Sequence, residues 1–380
     1  MRATGSPRPR VAIAHDYITQ RGGAERVVLS LSRAFPEAQV FTTLYEPETT
    51  FPEFRDIDIV TSPLNRVGPL RRDHRKALPL LAAASSGIHI DADVVIASTT
   101  GWAHGFRTTG RTIAYCHSPA RYLYLSDQYL GDAGRLSPTR MGLRVLTPFL
   151  KRWDQKAAAS VDTYITNSSI VQQRVSDVYG RSSELLFPPH SVDISGPRSA
   201  MPELADFVGG GGHLLLVSRL LPYKNVDAAI RAVAGLPNER LVIVGDGPQR
   251  AELSATLPDN VRLVSGISDE HLRWLYARSR ALIAPSHEDF GLTVIEAAAW
   301  GKPSIALRAG GYLDTVREGA TGRFFDVPTA AAIADAVAAS RFQVWDVAAI
   351  KTHAHGFSEQ AFAQRLRELV DEAATRRGGK

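Results

Sequence analysis

One repeated unit constrains this chain more than any other feature: a short apolar run, a polar or glycine-bearing stop, then a helical pattern. The runs fall at residues 11–14, 39–43, 57–60, 94–98, 111–116 and 163–166, and again at 213–217, 241–244, 261–264, 281–284 and 304–307. Helical patterns lie between them, notably over 140–160 and 168–179, and from about residue 226. A strand buried on both sides has no polar face to show, so this alternation predicts parallel sheets covered by helices on both faces. Ligands of such folds meet the carboxyl ends of the strands. The residues that close the runs are therefore the first site candidates: His15, Ser98-Thr99-Thr100, His117 and Asn167-Ser168.

A length of 380 residues suits two domains. Pro188-Pro189 and the stretch 195–212, with Pro197, Pro202 and four glycines at 209–212, read as a linker. The expected domains are 1–195 and 196–357. Phe362, Leu366, Leu369 and Val370 form one stripe of a final helix, read over 358–374.

No apolar run approaches the roughly 20 residues that span a bilayer. Residues 1–10 are basic, but the apolar run 11–14 is too short for a signal-peptide core. The single cysteine, Cys116, fits a reducing compartment, so the expectation is a cytosolic protein. The net charge of +5, from 44 Lys and Arg against 39 Asp and Glu, suits anionic small molecules or an anionic membrane surface. It is too mild to argue for nucleic acid. His353 and His355 have no neighbours to complete a metal site, and both read as structural or solvent-facing.

The stretch 281–303 is the most informative. An apolar run ends in a polar loop, a glycine turn follows, and a helix from about residue 293 is stopped by Gly301-Lys302-Pro303. N–H groups around Phe290, Gly291 and Leu292 would face an anion at the helix start. Glu288 and Glu296 flank that place and could accept from sugar hydroxyls, or could be an ordinary loop acid and an ordinary helix acid. Arg21-Gly22-Gly23-Ala24-Glu25 repeats the strand–glycine–helix arrangement, as a phosphate cradle or a plain tight turn. His117 ends an apolar strand and reads either as a hydrogen-bonded structural residue or as a site residue. The basic segment 65–76, with Arg71, Arg72, Arg75 and Lys76, is a solvated face or a patch for an acidic acceptor or anionic lipid. Pro79 is expected to prevent an unbroken amphipathic helix there. No G-x-G-x-x-G is present, which argues against a nicotinamide-dependent dehydrogenase.

Taken together, Arg219-x4-Lys224, Gly245-Asp-Gly-Pro248 and Glu288-Asp-Phe-Gly291 through Glu296 resemble glycosyltransferase family 4. The resemblance runs from Val11 to about Phe362. It implies an α/β GT-B architecture, two doubly wound Rossmann-like domains facing across a cleft, with helix 358–380 packed back on the first. It implies a retaining, nucleotide-sugar-dependent enzyme that needs no metal. Arg219 and Lys224 would hold the donor diphosphate, Glu288 would face sugar hydroxyls and Glu296 the ribose. Phe290, Gly291 and Leu292 would meet phosphate and sugar through their backbone, Gly22 and Gly23 would approach the diphosphate, and His117 would lie near the sugar. Val244, Gly245 and Ile267 would lie near the base. The stretches 15–25 and 115–123 look like a branch using GDP-mannose to build envelope glycans on a lipid-linked or other acceptor. A catalytically silent nucleotide-sugar sensor, or another nucleotide-hexose donor, is the alternative.

Overall fold

The apolar runs become the strands of two separate parallel sheets. The computed structural model describes residues 9–124, 138–190, 193–209 and 212–375. The basic start at 1–8, the middle of the glycine run at 210–211, and residues 376–380 lie outside the described residues. Packing divides the chain into a first unit, residues 1–189 with 359–380, and a second, residues 190–358.

The first unit contains β1 (Val11–His15), β2 (Val40–Thr42), β3 (Ile59–Thr61), β4 (His89–Ile90), β5 (Val94–Thr99), β6 (Arg107–Thr108), β7 (Arg111–Cys116), β8 (Thr163–Thr166) and β9 (Ser183–Leu185). Its main sheet has the order β3-β2-β1-β5-β7-β8-β9, with β4 and β6 paired separately. The chain moves outward from β1 to β2 and β3, then returns to the other side of β1 at β5. That reversal makes a topological switch point at the carboxyl ends of β1 and β5. Helix Gly23–Ala34 buries Val27, Val28, Leu31 and Ala34 on one stripe. Helix Glu359–Thr375 turns Phe362, Leu366, Leu369 and Val370 into the same core, which contains Ile13, Ile96 and Tyr115.

The second unit contains β10 (His213–Val217), β11 (Leu241–Val244), β12 (Val261–Val264), β13 (Ser279–Ala284), β14 (Ser304–Leu307) and β15 (Gly322–Phe325). Their order, β12-β11-β10-β13-β14-β15, repeats the switch, here between β10 and β13. Ser268 caps helix Asp269–Arg278 through its side-chain oxygen, which accepts from His271 N–H. His353 is buried with Nε2 2.9 Å from Thr315 O, a structural place, and His355 is exposed.

Two expectations need correction. Residues 195–212 are not a plain linker, because helix Pro202–Val208 buries Met201, Leu204 and Val208 in the second core. Those three sit at helical spacing, a signal obscured by the surrounding prolines and glycines. Pro79 does not break the basic segment either, since helix His74–Gly87 runs through it. The break falls at Asp73, between that helix and helix Gly68–Arg72, where the Asp73 side chain caps Arg75 N–H. The edge strands β9 and β15 escaped the sequence reading, being short and only partly buried.

Candidate functional site

The second unit assembles its polar residues at the switch between β10 and β13. After β10 the chain carries Arg219 on a loop that lies directly over Gly245 and Gly247. Ser218 N–H bonds Val244 O at 3.0 Å, and Leu220 N–H bonds Asp246 O at 2.8 Å. A Cβ on Gly245 would lie 1.9 Å from Ser218 O, so only glycine lets the two loops meet. The clamp fixes the backbone of Arg219, whose exposed guanidinium makes no hydrogen bond or ion pair with any described residue. Val244 is buried at the end of its strand, and Ile267 half-buries between Gly266 and the Ser268 cap.

Lys224 ends a single turn, Pro222–Lys224, that is followed by Asn225 in the left-handed conformation. Asn225 Nδ2 donates to Pro285 O at 2.9 Å, tying the turn to the end of β13. The result buries Lys224 and joins its ammonium to the Glu288 carboxylate by a hydrogen-bonded ion pair. Ser286 Oγ donates to the same Glu288 oxygen at 2.6 Å and lies 3.3 Å from the Tyr312 hydroxyl. Gly311 N–H bonds Glu288 O at 2.8 Å, so the loop after β14 braces the loop after β13.

Phe290 is buried against Phe357, and Gly291 then turns the chain into helix Leu292–Ala299. Gly291 has φ of +89°, and a Cβ there would lie 2.3 Å from the Tyr312 ring. Glycine is required on both counts. No side chain caps this helix. Its first N–H groups are left for an anion or water. Glu296 lies one turn in, and its Oε2 accepts from the Tyr276 hydroxyl at 2.9 Å.

The first unit places its candidates at the other switch point. Gly22 precedes helix Gly23–Ala34 and packs on the buried Glu25 carboxyl, which burial pushes up to about 7. His117 follows β7 with Nε2 2.8 Å from Ser98 Oγ, and His15 Nδ1 approaches the same hydroxyl from the other side. Burial, the neighbouring His15 and Arg121 pull His117 down to about 3, so the ring is neutral at pH 7. The adjacent Asp16 is buried under donors, among them Thr100 N–H and Ala103 N–H at 2.6 Å.

In the basic segment, Arg71 turns inward to Glu46 at 2.9 Å, leaving Arg72, Arg75 and Lys76 exposed. Among the described residues no cluster of three or more His, Cys, Asp or Glu could hold a metal, and no helix is long and apolar enough to cross a membrane. Sequence reasoning missed Ser286, Tyr312, Tyr276 and Asn225, which hold the glutamates and the lysine loop. Gly310-Gly311 just after the run 304–307 was the one available signal, a strand followed by glycines.

Residues 21–195 match the model of the family described as Glycosyltransferase Family 4, and residues 207–340 match that of Glycosyl transferases group 1. Over 195 residues the chain is 30% identical to D-inositol 3-phosphate glycosyltransferase of Acidothermus cellulolyticus, covering 44% of this chain and 43% of that protein. Over 201 residues it is 31% identical to the GDP-mannose-dependent alpha-(1-6)-phosphatidylinositol monomannoside mannosyltransferase of Mycolicibacterium smegmatis, covering 47% of this chain and 52% of that one. The matches thus span about half the length of these curated relatives. Among solved structures, HepE of Anabaena in complex with UDP-glucose superposes with a TM-score of 0.68 at 19% identity, covering 96% of this chain and 100% of that one. Sucrose-phosphate synthase from Thermosynechococcus elongatus gives 0.66 at 19% identity, covering 96% and 98%. The fold is the GT-B fold.

Proposed function

The chain belongs to the family 4 and group 1 glycosyltransferases, and from that premise we propose that it is a retaining hexosyltransferase. It takes mannose from GDP-mannose and passes it to a lipid-linked or other cell-envelope glycan. The observation that carries this reading is the Lys224–Glu288 pair, on the same loop system as the uncommitted Arg219 guanidinium, at the switch point of the second sheet. A cation pair beside a carboxylate suits a diphosphate bonded to a polyhydroxylated ring.

The bond between the anomeric carbon and the phosphate oxygen breaks, and negative charge develops on the phosphate. Arg219, Lys224 and the open end of helix Leu292–Ala299 receive it. That is the work a divalent ion does in other transferases, so this reading requires no metal. The acceptor hydroxyl attacks the same face of the sugar, and its proton passes to the departing phosphate oxygen. Glu288 accepts from sugar hydroxyls and Glu296 from the ribose. Within the second unit, Phe290, Gly291 and Leu292 approach the diphosphate and sugar through backbone, and Val244, Gly245 and Ile267 face the base.

A relative described as GDP-mannose-dependent supports the choice of mannose. A phosphoinositol-bearing acceptor is a second reading, favoured by relatives named for D-inositol 3-phosphate and phosphatidylinositol monomannoside. We assign the protein to the cytoplasm, with peripheral contact to an anionic membrane. Arg72, Arg75 and Lys76 support that contact. So does helix Pro138–Ala159, which exposes Val145 (80%) and Phe149 (67%) near Arg152 and Lys156.

The test is a thermal-shift screen of nucleoside diphosphates and their hexoses, followed by donor hydrolysis. GDP-mannose is expected to raise the midpoint most and to be hydrolysed slowly without acceptor. A larger shift with UDP-glucose overturns the donor. Tight binding with no turnover of any donor, with or without acceptor, makes the protein a sensor and not an enzyme.

A further inference from the structure

Three neighbouring strands of the first sheet deliver three buried polar side chains to one place. His15 ends β1, Ser98 lies opposite it in register on β5, and His117 follows β7, two positions beyond Tyr115, the register partner of Ser98. The two-residue period of a strand puts Tyr115 and His117 on the same side, so His117 comes to Ser98 from the flank opposite His15. All three side chains are buried: His15 is 2% exposed, Ser98 0% and His117 8%. The loops around them are fixed. His117 N–H bonds Thr99 O at 2.9 Å, Asn167 Nδ2 donates to His117 O at 3.3 Å, and the Tyr115 ring stands edge-on at 5.2 Å.

The protons of this row follow from one fixed acceptor. His15 Nδ1 lies 2.9 Å from Ser98 O. A carbonyl can only accept, so His15 Nδ1 carries a hydrogen. It therefore cannot accept from the Ser98 hydroxyl, 3.1 Å away. The hydroxyl hydrogen is left to the other neighbour, His117 Nε2, at 2.8 Å. A neutral imidazole that accepts at Nε2 carries its hydrogen at Nδ1. No described residue hydrogen-bonds His117 Nδ1.

We propose that Ser98, backed by His15, is a positioning residue that holds His117 as the neutral Nδ1–H tautomer, so that the ring offers its ligand a hydrogen-bond donor and never a base. The charged and titratable groups that act on the row are Asp16 beside His15, and His15 and Arg121 beside His117. Burial opposes a second proton on either ring. The consequence for catalysis rests on the proposed glycosyl transfer, in which His117 then cannot take the acceptor's proton. The tautomer itself does not depend on that reading.

The experiment is long-range 1H–15N NMR of the histidine side chains in the full chain, from pH 8 to pH 5. His117 is expected to show a protonated-type Nδ1 and an unprotonated-type Nε2 throughout. A hydrogen at Nε2, or titration with a midpoint above pH 6, overturns the proposal without any variant being made. Ser98→Ala is expected to give a mixture of tautomers and, if the chain transfers sugar, to lower kcat roughly tenfold with donor KM unchanged. Loss of the donor itself would cost about 10²–10³. Ser98→Thr, which keeps the hydroxyl, is expected to restore both readouts. An unaltered tautomer in Ser98→Ala removes Ser98 from the role. A protein with the expected tautomer and no transfer activity retires the transferase reading and leaves this one standing; transfer by a protein with the hydrogen at Nε2 does the reverse.

Discussion

Lys224 and Glu288, 64 positions apart in the chain, hold one another at the carboxyl ends of β10 and β13. The lysine is the more deeply buried partner, with 11% of its side chain exposed against 26% for the glutamate. Removing either one leaves a half-buried charge with fewer partners, although Ser286 still donates to Glu288. In the proposed reaction the same two groups serve the leaving phosphate and the sugar hydroxyls. Lys224→Ala and Glu288→Ala are each expected to lower turnover by on the order of 10²-fold or more. Circular dichroism should show both variants folded, and steady-state assays with GDP-mannose read the effect. Near-wild-type rates for both would remove these residues from the chemistry.

Gly245→Ala and Gly291→Ala probe how closely the site loops approach. The added methyl would meet Ser218 O at 1.9 Å in the first variant and the Tyr312 ring at 2.3 Å in the second. Gly245→Ala is expected to lose about 1–3 kcal/mol of stability by the clash alone. Gly291→Ala is expected to lose about 1–2 kcal/mol more, because its φ is also left-handed. Both should weaken donor binding. Gly319→Ala is the control: its φ of +76° is also left-handed, but nothing lies within 4 Å of the added methyl. It should show only the backbone cost of about 1–2 kcal/mol and unchanged donor binding. Denaturant melts and nucleotide titrations separate the two effects. Gly291→Ala no worse than Gly319→Ala, together with a Gly245→Ala as stable as wild type, would mean that loop contact plays no part.

The strands were legible because a parallel strand covered on both faces must be apolar throughout, as Leu241–Val244 and Arg111–Cys116 nearly are. Ser268 was legible as a cap because its oxygen acts on a neighbour three residues on. What local pattern cannot carry is a contact between loops. Ser286 reaches Tyr312 across 26 positions and Tyr276 reaches Glu296 across 20. Each depends on strand order, which no periodicity states. Glu288 could be read as a strand-end acid but not as one half of an ion pair, and Arg71 read as a surface cation although Glu46 draws it inward.

Arg72, Arg75 and Lys76 remain outward-facing once Arg71 is committed to Glu46. A cation near an anionic membrane contributes about 1 kcal/mol. The triple change Arg72→Gln, Arg75→Gln, Lys76→Gln is therefore expected to weaken binding to phosphatidylserine-containing vesicles by on the order of 10²-fold. Phe149→Ser should weaken it further by removing an exposed apolar anchor. Donor affinity should not change in either variant, since none of these residues is among those assigned to the donor. Vesicle co-sedimentation measures the first effect, and unchanged binding would dismiss the membrane contact.

Glu25 sets a pH dependence whose sign can be worked out in advance. Its carboxyl is buried at the start of helix Gly23–Ala34, and burial is the main cause that raises it from its ordinary 4.5 to about 7. Hydrogen bonds from Gln20 and from the backbone of Glu25 and Gly22 oppose the rise, and Asp16 adds to it. Between pH 4.5 and 7 the folded chain holds this proton more firmly than the unfolded chain does. Stability from this group is therefore full below about 4.5, falls as pH rises, and is lost above about 7. A carboxyl moved that far carries on the order of 3 kcal/mol. His15 and His117 are lowered by burial and act with the opposite slope, losing stability as pH falls below 6.5. Wild type alone would therefore show a blunted profile, and the informative quantity is its difference from Glu25→Gln. Glu25→Gln keeps the shape and cannot ionise, so its advantage over wild type should grow from pH 5 to pH 8 and then level off. Chemical denaturation at pH 5, 6, 7 and 8 measures this difference, and a difference independent of pH would show that Glu25 titrates as an ordinary surface acid.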